Sequence, residues 1–266
     1  MELMAFGQTD IGIARTNNED NFIIDEKLGF LAVADGMGGH VAGEMASKMA
    51  ALMIYDNLLE QQTFTGTYNN EYSPASNNLN YALSLANLAV YEAAERSPHL
   101  HGMGTTVAAV LLSGNRLSIA HIGDSRVYLI RSGGIAQLTD DHSLFNEQIR
   151  LALIADETIP HTSSKNILTK ALGTSQSVAT DLSELTLFEG DILLLCTDGL
   201  SNMIGDEDIL QIIMSAQKPE SVCGLLINAA NEKGGKDNIT AVIGYIRKKK
   251  WYSVMFDFLK HHSGGD

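Results

Sequence analysis

Seven short apolar runs, each bounded by turn residues, constrain the fold of this chain more than any other feature. They are rich in Val, Ile, Leu and Phe, and their lengths are typical of β-strands. The runs cover residues 21–24, 30–34, 105–112, 116–122, 127–131, 191–197 and 239–246. Turns at 113–115 and 123–125 join consecutive runs and predict antiparallel hairpins, and a third turn follows at 132–134.

Segments with helical periodicity lie between these strands and come in two consecutive pairs. It covers residues 43–59, 79–95, 206–216 and 221–231. Paired helices and hairpin strands predict an α+β layered domain rather than alternating βαβ units. Polar residues 61–80 are interpreted as a loop, and 141–177 as an excursion over the surface that begins with a helical pattern at 144–153.

Composition narrows the classes of function. The chain has 266 residues, 45% of them hydrophobic, and its 32 acidic against 18 basic residues give a net charge of −14. Nucleic-acid binding is excluded on this ground, because it depends on neutralising phosphates with Lys and Arg. Two cysteines, Cys196 and Cys223, make no disulfide framework, and we interpret both as small core residues. No leader or membrane-spanning stretch is visible, so we expect a soluble, cytoplasmic protein.

Aspartates fall at the ends of the predicted strands. They are Asp20 (preceded by Glu19), Asp35, Asp124, Asp198 and Asp237. Carboxylates that meet at one rim of a sheet make an oxygen-rich site for a hard divalent cation such as Mg²⁺ or Mn²⁺. Gly36, which follows Asp35, would leave its backbone carbonyl approachable. The alternative is that each Asp-Gly or Asp-Asn pair is only a turn.

Arg15 stands upstream of these aspartates in the stretch ARTNNED. A guanidinium near carboxylate-bound metal ions is suited to gripping a phosphoryl group at two points. The alternative is a surface ion pair with Glu19. The Gly-rich stretch at 35–43 fits neither GxGxxG nor a Walker A loop, and neither cysteine has an Arg six positions later, which excludes a cysteine-dependent phosphatase.

Nine motifs in order resemble those of the metal-dependent protein phosphatases. They are Gly12-x-x-Arg15-x-x-Asn18-Glu19-Asp20, Ala34-Asp35-Gly36-Met37-Gly38-Gly39, Gly43-Glu44-x-Ala46-Ser47, Gly102-Met103-Gly104-Thr105-Thr106, Gly123-Asp124-Ser125-Arg126, Leu138-Thr139-x-Asp141-His142-Ser143, Leu168-Thr169-Lys170-Ala171-Leu172-Gly173, Thr197-Asp198-Gly199-Leu200 and Asp237-Asn238-Ile239-Thr240. The chain resembles the protein phosphatase 2C family over residues 5–246, in its compact bacterial serine/threonine branch.

The resemblance implies a four-layer α/β/β/α sandwich, with two antiparallel sheets flanked by helix pairs and a flap subdomain at about 141–177. It implies two Mn²⁺ or Mg²⁺ ions and a weaker third. Asp35 would bridge two ions and the Gly36 carbonyl would complete one shell, while Asp198 and Asp237 would hold the second ion. Asp124 would share the third ion with Asp198. Asp20 would contribute directly or through water, with Glu19 close by in the second shell.

The implied activity is hydrolysis of phosphoserine and phosphothreonine in proteins by a metal-activated water, with Arg15 binding the phosphate. The implied partners are phosphorylated proteins and a cognate serine/threonine kinase, and we expect a monomer. An inactive relative that serves as a regulatory binding module is the alternative. We would then expect a missing metal carboxylate, and all of them are present.

The sequence leaves the identity of the general acid open. Animal members place a His directly after Asp-Gly, where this chain has Met37. His40 is the candidate by position, and a metal-bound water is the alternative. His121 and His142 are interpreted as structural, and Lys170 stands where bacterial relatives often have Arg.

The last twenty residues, 247–266, lie outside the resemblance. Four basic residues precede apolar positions with helical spacing, which predicts a basic amphipathic tail beyond a domain of residues 1–246. Such a tail could contact an anionic membrane or a partner, and the alternative is a terminal helix packed on its own domain.

Overall fold

Eleven strands and six α-helices are found in the part of the chain that the structure, a computed structural model, describes: residues 1–39, 41–60, 69–151 and 167–248. The strands are β1 Glu2–Asp10, β2 Asp20–Asp25, β3 Phe30–Met37, β4 Gly104–Thr105, β5 Val107–Ser113, β6 Arg116–Ile122, β7 Arg126–Arg131, β8 Gly134–Gln137, β9 Asp181–Thr186, β10 Ile192–Cys196 and β11 Ile239–Arg247. The helices are α1 Val41–Leu59, α2 Pro74–Arg96, α3 Leu144–Arg150, α4 Asp198–Ser201, α5 Asp206–Ser215 and α6 Val222–Glu232.

The strands form two sheets in which every pairing is antiparallel. One sheet has the order β1-β11-β10-β7-β8, and the other has the order β2-β3-β5-β6-β9, with β4 paired to β3. One apolar core, which includes Leu31, Val110 and Leu195, lies between the sheets. This arrangement confirms the two antiparallel sheets predicted from the sequence.

Helices cover both outer faces of this sandwich. A second core joins α1 and α2 to the sheet of β3, β5 and β6, and α2 contributes Leu79, Leu83 and Val90 from one face. A third core joins α5 and α6 to β7, β10 and β11. Both cysteines are buried in this third core, as predicted. Three apolar cores between four layers confirm the α/β/β/α sandwich.

The predicted hairpin at 123–125 is wrong. β6 and β7 lie in different sheets, so the turn between them is a crossing from one sheet to the other. Gly123 takes a φ of +103° at this crossing, and a Cβ there would meet the Thr106 side chain. The crossing brings Asp124 to the edge that both sheets share. The predicted hairpin at 113–115 does form, because β5 pairs with β6. The predicted turn at 132–134 joins a further antiparallel pair, β7 and β8.

The predicted loop at 61–80 is wrong at its end. α2 begins at Pro74, with Ser73 as its N-cap, whose Oγ accepts from the Ser76 N–H at 3.3 Å. Proline is well tolerated in the first turn because the N–H that it lacks has no partner within the helix. Residues 61–68 lie outside the described residues.

Other element boundaries differ from the predicted ones by a few residues. α3 ends at Arg150 rather than 153, and β11 includes Arg247, one residue past the expected end of the domain. β1, β8 and β9 were not predicted, because their sequences mix polar with apolar residues and most of their positions are only partly buried or exposed. Residues 152–166 of the predicted flap and 249–266 of the predicted tail lie outside the described residues. Among the described residues, no helix has the length and apolar character needed to cross a membrane.

Candidate functional site

Strand ends bring the predicted aspartates to one edge of the sandwich. Asp20 begins β2 directly opposite Asp35 in β3. Asp198 follows β10 as the first residue of α4, and Asp237 lies two positions before β11. Together with Asp124 on the crossing between the sheets, Asp35, Asp198 and Asp237 line a cleft of about 600 Å³. All five predicted aspartates therefore meet in one region.

The glycines after two of these aspartates allow close packing of the backbone. A Cβ on Gly36 would collide with the Gly43 carbonyl oxygen of α1. A Cβ on Gly199 would collide with the Asn238 carbonyl oxygen. The Asp-Gly pairs are therefore not only turns, because they let α1 and β11 approach the strand ends that carry the carboxylates.

The buried carboxyl groups repel one another. The pKa of Asp20 is raised to about 7, chiefly by burial and also by the nearby Asp198 and Asp237, against the lowering effect of its hydrogen bonds. Burial and neighbouring carboxylates raise the pKa of Asp124 to about 7 and that of Asp198 to about 6. The pKa of Asp35 lies well above its ordinary value for the same two reasons. The cluster needs positive charge if all its members are ionised.

Two carboxylate oxygens of this cluster have no hydrogen-bond partner among the described residues. They are Oδ1 of Asp20 and Oδ1 of Asp198, both buried. The other oxygen of Asp20 accepts from the hydroxyl groups of Thr197, at 2.8 Å, and Thr240, at 2.7 Å. Unpartnered anionic oxygens in a crowded acidic site fit a hard divalent cation, which prefers oxygen ligands.

Arg15 lies in the same cleft. Its Nη2 donates to Asp237 Oδ2 at 2.7 Å, and its side chain is 51% exposed. The pKa of Arg15 is raised, chiefly by the hydrogen bond to Asp237. The guanidinium thus stands beside the carboxylate cluster with half of its surface open to an incoming anion.

Asn238 is a residue whose role sequence reasoning missed. Its Oδ1 accepts from the Glu19 N–H at 2.8 Å, and its Nδ2 donates to the carbonyls of Ile11, at 2.9 Å, and Asn17, at 2.8 Å. One buried amide therefore fixes the loop that carries Arg15 to the start of β11. Its position directly after an aspartate was the available signal.

Thr106 is a second such residue. Its Oγ1 accepts from the Asp35 N–H at 3.0 Å and lies 2.7 Å from the Ser125 hydroxyl. It thereby links the strand end of Asp35 to the crossing that carries Asp124. Gly36 and Glu19, both predicted to contribute, line the cleft, whereas His40 lies outside the described residues.

Comparison with known proteins shows which family the chain belongs to. The sequence profile of the family described as "Protein phosphatase 2C" matches residues 14–235. The serine/threonine phosphatase Stp of Listeria innocua is 36% identical over 239 residues, covering 89% of this chain and 93% of that protein. The chain belongs to the protein phosphatase 2C family.

Solved structures of protein phosphatase 2C members have the same fold. The crystal structure of the Mycobacterium tuberculosis serine/threonine phosphatase PstP/Ppp has a TM-score of 0.81 and 33% identity, covering 93% of this chain and 100% of that one. A structure of the PstP catalytic domain in complex with two manganese ions has a TM-score of 0.78 and 33% identity, covering 93% and 99%. Family membership confirms the fold and the enzyme class, a protein phosphatase, that the sequence predicted.

Proposed function

We propose that this protein phosphatase 2C member hydrolyses phosphoserine and phosphothreonine in proteins with the help of Mn²⁺ or Mg²⁺. The observation that carries the proposal is the set of buried, mutually repelling carboxyl groups beside a half-exposed arginine in one cleft. The PstP structure with two manganese ions supports the choice of metal and number.

The chain offers the ligands for two ions and a weaker third. Asp35 and the Gly36 carbonyl would hold the first ion, Asp198 and Asp237 the second, with Asp35 shared between them. Asp124 would join Asp198 in the third site, and Asp20 and Glu19 would support the cluster. Bound ions supply positive charge that neutralises phosphoryl oxygens and lowers the pKa of a water nucleophile.

Arg15 would bind the substrate phosphate. Its guanidinium can donate to two phosphoryl oxygens at once, and Asp237 keeps it in the cleft before substrate arrives. Asn238 positions it by fixing the loop of residues 11–19. His40 stays the candidate general acid for the leaving serine or threonine oxygen, with water as the alternative.

Several expectations from the sequence also stay predictions. They are a phosphatase domain over 1–246 with its flap at about 141–177, a basic tail at 247–266 that contacts a membrane or partner, a cognate serine/threonine kinase, a monomeric state and a cytoplasmic location.

Phosphate release from a phosphothreonine peptide, with Mn²⁺ and with excess EDTA, tests the function. We expect release that depends on Mn²⁺ and that Mg²⁺ partly restores. Equal release with EDTA would contradict the metal-dependent mechanism. Absence of release with either ion would favour the alternative, an inactive relative that binds partners.

A further inference from the structure

Four side chains form a second polar cluster beside the carboxylate cleft. They are His121 on β6, His142 before α3, Lys170 on the cleft wall and Asp181 at the start of β9. The two imidazole rings stack with their centroids 4.7 Å apart and their planes 8° from parallel. His121 Nε2 lies 2.9 Å from the Asp140 carbonyl oxygen, so we assign its proton to Nε2.

The cluster contains three potential metal ligands, but its hydrogen bonds oppose a metal ion. One ligand atom each of His121, His142 and Asp181 lie within 4.8 Å of one another. The Gly123 N–H donates to His142 Nδ1 at 3.0 Å, so the proton of the neutral ring must be on Nε2. That nitrogen therefore has no free electron pair for a metal.

Asp181 is the shared acceptor of this cluster. Its Oδ1 lies 3.2 Å from His142 Nε2 and 2.8 Å from Lys170 Nζ. Lys170 Nζ and His142 Nε2 lie 3.2 Å apart although both are donors. They are close because both donate to Asp181 Oδ1. The ammonium of Lys170 thus supplies the positive charge that a metal ion would otherwise bring.

His142 forms hydrogen bonds with both the backbone N–H and the backbone carbonyl of Gly123. In addition to the side-chain bond, its backbone N–H donates to the Gly123 carbonyl oxygen at 2.9 Å. The His142 carbonyl in turn accepts from the Thr169 N–H at 2.8 Å, which ties the cleft wall to the same point. Gly123 directly precedes Asp124 on the crossing between the sheets.

We propose that His142 is a positioning residue for Asp124. Its ring, oriented by the Lys170–Asp181 pair, accepts from the Gly123 amide and so fixes the crossing that points Asp124 into the cleft. The inference rests on the proposed function to the extent that Asp124 holds a cation. Outer-shell partners of this kind commonly change metal affinity by about 10- to 100-fold when they are replaced.

Two near-isosteric variants of His142 test the roles of its two ring nitrogens separately. In His142→Asn, the amide oxygen can occupy the position of Nδ1 and still accept from Gly123. In His142→Gln, the amide nitrogen can reach the position of Nε2 and donate to Asp181, but the Gly123 N–H loses its acceptor. The measurements are calorimetric titration with Mn²⁺ and hydrogen exchange of the Gly123 amide by NMR.

We expect His142→Gln to weaken the weakest Mn²⁺ site by about 10- to 100-fold, with changes below about threefold at the tighter sites. The Gly123 amide should lose protection in His142→Gln and keep it in His142→Asn, which should also keep the weak site. Equal effects of the two variants, an equal loss at every site, or a wild-type chain that binds only two ions would overturn the proposal.

If His142→Gln does not fold, Asp181→Asn tests the same claim from the exposed side of the cluster, because the Asp181 side chain is 42% exposed. A smaller loss confined to the weakest site is expected, and wild-type affinity there would overturn the proposal. Gly123 exchange needs neither metal nor turnover, so it still tests the role of His142 if the chain proves to be inactive.

Discussion

Two almost equally buried aspartates, Asp20 at the cleft and Asp191 directly before β10, have pKa values shifted in opposite directions. They are 5% and 3% exposed. Asp191 accepts from Arg131 Nε at 2.8 Å, from Arg131 Nη2 at 2.7 Å and from the Phe188 N–H at 2.7 Å. Burial works to raise the pKa of Asp191, but these bonds outweigh it and the pKa is lowered. At Asp20 burial prevails, and the pKa rises to about 7.

The difference shows where the fold provides counter-charge for its own carboxylates and where it does not. Asp191 has an arginine from β7, and Glu184 of β9 has donors from Ser73 and Ser76. The cleft gathers Asp20, Asp35 and their neighbours, and Arg15 on its rim contacts one of them, Asp237. The first kind of carboxylate stabilises the fold, and the second kind is the set that we propose to hold metal ions.

Asp35→Asn should give the largest effect. We expect Mn²⁺-dependent turnover of p-nitrophenyl phosphate to fall by about 1000-fold or more, because the proposed function makes Asp35 a ligand shared by two ions. The melting temperature in EDTA should stay the same or rise, since one of several repelling carboxylates is removed. Asp56→Asn, on the exposed face of α1, is the matched control. Full activity of Asp35→Asn would contradict the assignment.

Asn238→Asp should give the next largest effect. The variant keeps the acceptor for Glu19 but places a carboxylate oxygen against the carbonyls of Ile11 and Asn17, which frees the Arg15 loop. We expect KM for p-nitrophenyl phosphate to rise by about 10- to 100-fold. Asn18→Asp, which loses one exposed bond to Thr9, is the control and should change KM by about threefold or less. Similar values for both variants would refute the role of Asn238.

Asp191→Asn should lower stability and leave metal binding unchanged. We expect a loss of about 1–3 kcal/mol at pH 7, from the bonds to Arg131 and Phe188. Because the folded pKa of Asp191 is below its unfolded value, this stability is present above the unfolded pKa of about 3.9 and is lost as the pH falls through the folded pKa. Urea unfolding of variant and wild type at pH 7 and pH 3 measures this. A pH-independent difference would show that the charge of Asp191 contributes nothing.

Arg116→Gln should give the smallest effect. Arg116 is 57% exposed and lies 3.2 Å from Glu184, whose donors Ser73 and Ser76 remain. We expect a loss below about 1 kcal/mol in urea unfolding, as for other exposed ion pairs. A loss as large as that of Asp191→Asn would show that Glu184 depends on Arg116 as strongly as Asp191 depends on Arg131.

The sequence predicted the cleft better than it predicted the path of the chain. Aspartates at strand ends were sufficient to indicate a cation site, because strand ends meet at the edge of a sheet. The crossing at 123–125 could not be told from a hairpin, since a short Gly-containing turn serves both. The two are separated by strand pairing, because β6 and β7 lie in different sheets, and no local signal in the turn shows this. The start of α2 was missed because Pro74 can end a helix or begin one.

The supporting residues were the least predictable. Asn238, Thr106 and His142 act through hydrogen bonds to residues far away in the sequence, and the sequence alone does not show which backbone groups they will face. His142 was interpreted as structural, and its contact with Gly123 supports the positioning role that we propose for it.

Titration of the wild-type chain with Mn²⁺, followed by calorimetry and by the melting temperature, tests the central claim most directly. The account predicts at least two bound ions per chain and a rise of several degrees, because an ion at 100 times its Kd adds about 2.7 kcal/mol per site. Asp35→Asn should abolish most of this rise. A chain whose melting temperature and heat signal do not respond to Mn²⁺ or Mg²⁺ would contradict the claim that the unpartnered carboxylates form a metal centre.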